Sequence, residues 1–250
     1  MGGLLFRQLF DYDTYTYTYL LADTESREAV LIDTVQGQVA RDLQLLRELG
    51  LRLKYVLDTH VHADHVTGAG EIRRATGAQS GVGAGAGVGC ADLALKEGDE
   101  LTFGRFRLRV ISTPGHTDGC LSYFLGDRVF TGDALFVRGT GRTDFQQGSP
   151  EKLYDSITGK LFLLPPETLV YPGHDYRGMT VSTIGEEKAF NPRLGGGKRR
   201  EEFVAIMKGL KLGLPKQIHM AVPANLKCGG LPGQDLPLPE KSCSSGDLVS

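Results

Sequence analysis

The sequence predicts an α/β fold in which sheets are covered by helices, without strict strand–helix alternation. Three observations predict it. Strand-like segments outnumber helical ones, short apolar runs such as AVLID (29 to 33) read as strands, and helical spacing recurs between them at irregular intervals.

Residues 4 to 33 read as strands, because Thr14-Tyr15-Thr16-Tyr17-Thr18-Tyr19 alternates with period two in residues that favour pleated sheet. Val39, Leu43, Leu46 and Leu49 then recur at helical spacing and Gly50 closes the segment, which predicts a helix over about 37 to 49. LKYVLDT (53 to 59) is a buried strand with a histidine cluster at its C-terminal end, where open α/β sheets hold ligands. A helix is expected over 66 to 76. The glycine-rich segment SGVGAGAGVG (80 to 89) mimics part of a dinucleotide fingerprint but opens no convincing helix, so it reads as a loop. Strands follow at 101 to 113, 120 to 125 and 128 to 132, then a helix over 150 to 162, a strand at 168 to 172, and helices near 184 to 190 and 198 to 211. From 228 to 250 Gly, Pro, Ser and acidic residues dominate, so the expected organisation is one catalytic domain over 1 to 227 and a flexible C-terminal tail.

The chain has 250 residues, enough to bury a full core. Its 28 basic and 30 acidic residues give a net charge of −2 with no long single-sign run, which argues against nucleic acid or an anionic membrane as a partner. Nowhere do 18 apolar residues run together, and the N-terminus has neither a secretory signal nor a myristoylation pattern, since Phe6 stands where Ser or Thr is required. Cys90, Cys120, Cys228 and Cys243 are widely spaced, suggest no disulfide framework, and point to a reducing compartment.

The chemistry concentrates in Thr59-His60-Val61-His62-Ala63-Asp64-His65, three imidazoles and a carboxylate in seven residues of a chain with six histidines. Protonated imidazoles at that density repel one another, so the crowding suits a bound cation. Further ligand types sit in glycine-bearing turns after strands: Gly115-His116, Gly132-Asp133 and Gly173-His174-Asp175. His219, between Ile218 and Met220, is assigned no role. A structural metal site is disfavoured, because the set offers more ligands than one ion needs.

The pattern His60-x-His62-x-Asp64-His65, followed by His116, Asp133 and His174, resembles the metallo-β-lactamase superfamily over about residues 14 to 192. The resemblance implies an αββα sandwich, two mixed β-sheets flanked by helices, with metal at the edge between the sheets. In dinuclear members the equivalents of His60, His62, His116 and Asp133 serve one ion, and those of Asp64, His65, Asp133 and His174 the other. The stretches FTGDALFVRGTGRTDFQQGSPEKLYDSI (130 to 157), VYPGHDYRGMTVSTIGEEKAFNPRL (170 to 194) and PANLKCG (223 to 229) are similar to the persulfide dioxygenase branch. That branch implies one Fe(II) per chain on His60, His116 and Asp133, with glutathione persulfide and O₂ as substrates and sulfite and glutathione as products. Two imidazoles and one carboxylate on one face of an octahedron leave adjacent positions for a sulfur and O₂. His62, Asp64, His65 and His174 would then hydrogen-bond the ligands or a water, with Asp175 in a similar role or as a plain turn residue. For the anionic glutathione moiety, Arg142 and Tyr176 are the candidates; the competing reading of Arg142 is an ion pair with Asp144. The alternative activity is that of a dizinc glyoxalase II-type hydrolase of S-lactoylglutathione. The resemblance also allows a homodimer, and places the protein in a bacterial-type cytoplasm or in a mitochondrial matrix after loss of a leader.

Overall fold

A computed structural model describes residues 3–230. Two six-stranded sheets pack face to face. The first runs β1 (Leu4–Asp11), β2 (Thr16–Asp23), β3 (Glu28–Ile32), β4 (Arg52–Leu57), β5 (Gln79–Gly83) and β6 (Leu93–Leu95) in sequential order. Its first three strands are antiparallel and the rest parallel, the crossovers being α1 (Val39–Glu48) between β3 and β4 and α2 (Ala69–Thr76) between β4 and β5. The second sheet has the order β12-β11-β10-β9-β8-β7, from β7 (Glu100–Phe103), β8 (Phe106–Ser112), β9 (Leu121–Leu125), β10 (Arg128–Gly132), β11 (Leu169–Pro172) and β12 (Ser182–Thr183). Only β10 and β11 pair in parallel there, across a crossover that contains α3 (Pro150–Gly159). Both sheets are therefore mixed, as the resemblance implies. Helices α4 (Ile184–Phe190), α5 (Arg200–Lys208) and α6 (Ile218–Asn225) complete the described chain, in which no helix is long and apolar enough to cross a membrane.

Side-chain alternation explains the layering. In β2, Tyr19 and Leu21 point between the sheets and meet Phe103, Leu108, Tyr123 and Phe130, while Leu20 and Ala22 point outward against Val39, Leu46 and Ile72 of α1 and α2. On the far side Leu153, Ile157 and Phe203 of α3 and α5 cover Ile111 and Val129. Each such fully buried side chain contributes roughly 1.5–3 kcal/mol of transfer free energy, before the entropy of ordering the chain is subtracted.

Several expectations need correction. The stretch 101 to 113 is a hairpin that turns at Gly104 and Arg105. The glycine-rich segment is partly strand, because Gly81 and its neighbours pair with both β4 and β6; a Cβ at Gly81 would come 2.8 Å from a Leu57 methyl. The reading of the cysteines is overturned: Cys90 and Cys228 form a disulfide, with Cα atoms 6.1 Å apart, while Cys120 is free and buried. Widely spaced cysteines gave no sign of pairing because 138 residues separate them. Of the tail expected from 228 onward, Cys228, Gly229 and Gly230 are buried, and 231 to 250, Cys243 included, lie outside the described residues.

Candidate metal centre

The ligand-bearing turns all follow strand ends along one edge shared by the two sheets: His60 after β4, His116 after β8, Asp133 after β10 and His174 after β11. Backbone bonds tie the sheets together there, from Leu121 N–H to Thr59 O at 2.8 Å and from Tyr17 N–H to Gly173 O at 2.9 Å. Two buried tyrosines add to this, Tyr123 donating to Asp58 O at 3.0 Å and Tyr19 to Pro172 O at 2.6 Å. Gly132 has φ +48°, and a Cβ on it would lie 2.3 Å from Thr59 Oγ1. Gly173 is needed for a different reason: a Cβ on it would come 2.7 Å from Asp133 Oδ1.

His60, His116 and Asp133 come together. Nε2 of His60 and Nε2 of His116 lie 3.9 and 3.5 Å from Asp133 Oδ2. Their tautomers follow from the opposite ring nitrogens. His116 Nδ1–H donates to Arg142 O at 2.7 Å, a partner that can only accept. The Thr59 hydroxyl donates to Asp33 Oδ2 at 2.9 Å, so its oxygen accepts from His60 Nδ1–H, also at 2.9 Å. Both Nε2 atoms therefore present lone pairs to the carboxylate edge, which without a cation would be a repulsive arrangement. Burial, with repulsion from His62 and His116, holds His60 well below the usual histidine pKa, in keeping with a neutral ligand.

The remaining cluster surrounds this trio. His62 lies between His60 and His65, with ring centroids 4.1 and 4.3 Å away and planes tilted by 50° and 36°, and its Nε2–H donates to Asp33 Oδ1 at 3.2 Å. Burial pushes the His62 pKa down, but the carboxylates of Asp33, Asp64 and Asp58 together outweigh it and bring it up to about 10 as long as no cation sits on Nδ1. His65 Nδ1–H donates to Asp64 Oδ2 at 2.8 Å. His174 Nε2 lies 3.5 Å from Asp133 Oδ1 and 3.6 Å from Asp64 Oδ2, while its Nδ1–H donates to Tyr15 O at 3.2 Å. Three buried atoms here, His62 Nδ1, His65 Nε2 and Asp133 Oδ1, have no hydrogen-bond partner, and His62, Asp64 and His65 form a second group with metal-ligand spacing. Orphaned buried donors and acceptors are costly, and bound metal would satisfy such atoms. The residues thus fit a metal ion.

Asp175 is occupied by its own turn, accepting from the backbone N–H groups of Arg177 and Met179 at 2.9 and 2.6 Å. Arg142 is likewise engaged, its Nε and Nη2 each 2.6 Å from an Asp144 carboxylate oxygen and further donors on Leu212 O and Gly213 O. Its ion pair with Asp144 was the competing reading of the sequence. Tyr176 is exposed and lies parallel to His174, ring centroids 6.0 Å apart. A cavity of about 560 Å³ opens beside the metal residues and is lined by His116, Asp133, His174, Tyr176, Arg177 and Arg193 among others. Arg193 donates to Thr140 O and Oγ1, at 2.7 and 3.0 Å, rather than to a carboxylate, and burial together with the Arg177 guanidinium holds its pKa below the ordinary arginine value. Uncompensated positive charge in a cavity suits an anionic ligand.

Sequence reasoning missed three residues that hold the centre. Asp33, closing the AVLID run at φ +54°, accepts from Thr59 twice; Thr59 orients His60; and Asn225 of α6 binds the histidine loop. The available signals were a carboxylate at the end of a strand next to β4 and the PANLKCG stretch.

Residues 11–174 match the metallo-beta-lactamase superfamily. The chain is similar to the human "Persulfide dioxygenase ETHE1, mitochondrial", 53% identical over 229 residues that span 90% of this chain and 89% of the relative. The crystal structure of ETHE1 from Myxococcus xanthus superposes with a TM-score of 0.88 at 57% identity, covering 90% of this chain and 99% of that one. The crystal structure of TTHA1623 in a di-iron-bound form is more distant, with a TM-score of 0.62 at 29% identity over 75% of this chain and all of that one.

Proposed function

Since the chain belongs to the metallo-β-lactamase superfamily, in its persulfide dioxygenase branch, we propose that it oxidises glutathione persulfide with O₂ at a single Fe(II) held by His60, His116 and Asp133. The enzyme is a persulfide dioxygenase on the strength of its 53% identity to the human relative. The observation that carries the metal assignment is the convergence of two Nε2 lone pairs on one carboxylate, with both Nδ1–H groups tied back.

The reaction balances as GSSH + O₂ + H₂O giving GSH and sulfurous acid. Four electrons pass from the outer sulfur to O₂, the S–S bond breaks, water supplies the third oxygen, and the thiol leaves with a proton. Bound Fe(II) would supply adjacent coordination positions for a substrate sulfur and O₂. The chain's own part is orientation. Asp33 and Thr59 fix one imidazole and the Arg142 carbonyl the other, while His174 faces Asp133 Oδ1 and leaves Oδ2 toward the two histidines. Arg177 and Arg193 line the cavity as partners for the carboxylates of glutathione, a role that suits them better than Arg142, whose donors are taken. Tyr176, over His174, would flank the same ligand.

A second reading has its own observation: the unpartnered atoms of His62 and His65 offer donors for another ion, and a di-iron form is known for TTHA1623. Such a site would suit a glyoxalase II-type hydrolase. One experiment separates the two. Purified protein given glutathione persulfide should consume O₂ and yield sulfite, with turnover at background under nitrogen, about one iron per chain, and negligible S-lactoylglutathione hydrolysis. Thioesterase activity under nitrogen without O₂ uptake, on two metals per chain, would overturn the proposal.

A further inference from the structure

The histidine loop is held from outside by the last residue of α6. Asn225 is buried, and its carboxamide Nδ2 donates to His62 O at 2.9 Å and to His65 O at 2.8 Å, while Oδ1 accepts from Thr67 N–H at 2.8 Å. One side chain thus spans the loop from His62 to Thr67, fixing the backbone that carries Asp64 and His65. Its own anchorage is thin. The apolar cluster containing α6 consists of Val66, Ala221 and Ala224, and two alanines bury little area. Ile218, His219 and Met220, at the start of the helix, are not buried.

What ties α6 down is the segment just after it. Cys228, at φ +55°, sends its N–H to Asn225 O at 3.1 Å, and its carbonyl lies where a Cβ on Gly70 at the start of α2 would come within 2.2 Å. Its sulfur is bonded to Cys90, which is only half-buried and so within reach of reductant. A small cavity lined by Asp58, His60, Asn225 and Cys228 lies between the disulfide and the metal centre. A cross-link closing so long a loop restricts the chain strongly in entropic terms.

We propose that the Cys90–Cys228 disulfide is a redox latch on the metal centre, acting through Asn225 as a positioning residue for the loop from His62 to Thr67. A dithiol opens the latch: it gives up two electrons and two protons, becomes a disulfide itself, and leaves Cys90 and Cys228 as free thiols. The end of α6 then loosens, the three hydrogen bonds of Asn225 weaken, and the metal is held less tightly. The inference does not depend on which substrate the centre takes.

The test uses iron-loaded full-length protein under nitrogen. Reduction with dithiothreitol, followed by its removal, should raise the thiol count by two and speed the release of Fe(II) to a chromogenic chelator by about 10-fold, the lower end of the usual effect of outer hydrogen-bond partners on a metal site. The ligand-field spectrum of cobalt-substituted protein should shift on the same reduction. Asn225→Ala should release iron at the faster rate in both redox states, while Asn225→Asp, which keeps the acceptor for Thr67 N–H, should fall between. Cys90→Ser should match reduced wild type. An unchanged release rate and cobalt spectrum in protein that has gained two thiols would sink the proposal, as would an Asn225→Ala variant that keeps the full redox response. Global unfolding on reduction, read by circular dichroism, would also overturn it, since the disulfide would then be a staple of the whole fold.

Discussion

Asp33 and Thr59 are bound twice: the backbone N–H of Thr59 donates to Oδ1 at 2.6 Å and its hydroxyl to Oδ2 at 2.9 Å. The pair fixes the start of the histidine loop and the tautomer of His60 together. Thr59→Val removes the acceptor for His60 Nδ1–H, and should weaken metal binding roughly 10- to 100-fold while Thr59→Ser largely restores it. Competition against a chelator of known affinity measures this; equal affinity in the valine variant would count against the relay.

Arg193→Gln should raise KM for glutathione persulfide with little change in kcat, a loss of about 1–3 kcal/mol if one charge-assisted hydrogen bond to a carboxylate disappears. Arg142→Ala should act differently, lowering the melting temperature through its lost contacts to Asp144, Leu212 and Gly213, with a smaller rise in KM. Steady-state kinetics beside thermal melts distinguish the two variants, and a larger KM effect for Arg142 would restore it as the carboxylate clamp.

Gly132→Ala places a methyl group 2.3 Å from Thr59 Oγ1 at a residue with φ +48°. The strained backbone and the displaced threonine should together cost more than about 1 kcal/mol, and iron content should fall with stability. Denaturant titration and metal analysis of the same preparation check both.

Asp42 gives a pH dependence outside the metal site. Burial in α1 raises its carboxyl pKa to about 6, against the partial relief of Arg41, and one carboxylate oxygen has no partner. Since the folded pKa lies above the unfolded one, the unfolded chain loses the proton first. The stability contribution is therefore intact below pH 3.8 and declines as pH rises to about 6, by on the order of 3 kcal/mol. Asp42→Asn should stabilise the protein at pH 7 and not at pH 3.5, as read from urea midpoints at the two values; equal effects at both would refute the assignment.

Much of the fold was legible because its signals are local. The Val39, Leu43, Leu46, Leu49 spacing reports the covered face of α1 within a few residues, and the Thr14–Tyr19 alternation marks a strand, which starts at Thr16 with Thr14 and Tyr15 in the turn before it and is buried on both faces. Helix α6 was not seen because Ile218 to Asn225 includes Pro223 and has no clear apolar face, so only its tertiary contacts identify it.

The sequence by itself determined the donor set: imidazoles and carboxylates in glycine turns after strands, dense enough to require a cation. Tertiary structure alone gave each of these side chains its actual partner. His60, His116 and Asp133 converge while His62 turns to Asp33, Arg142 is claimed by Asp144 as Arg193 is left facing the cavity, and Asn225 closes over a loop some 160 residues away in sequence. The physical reason is that residue type and spacing fix what a side chain can bond, whereas its actual partner is chosen by the closure of long loops that brings distant strand ends to one edge.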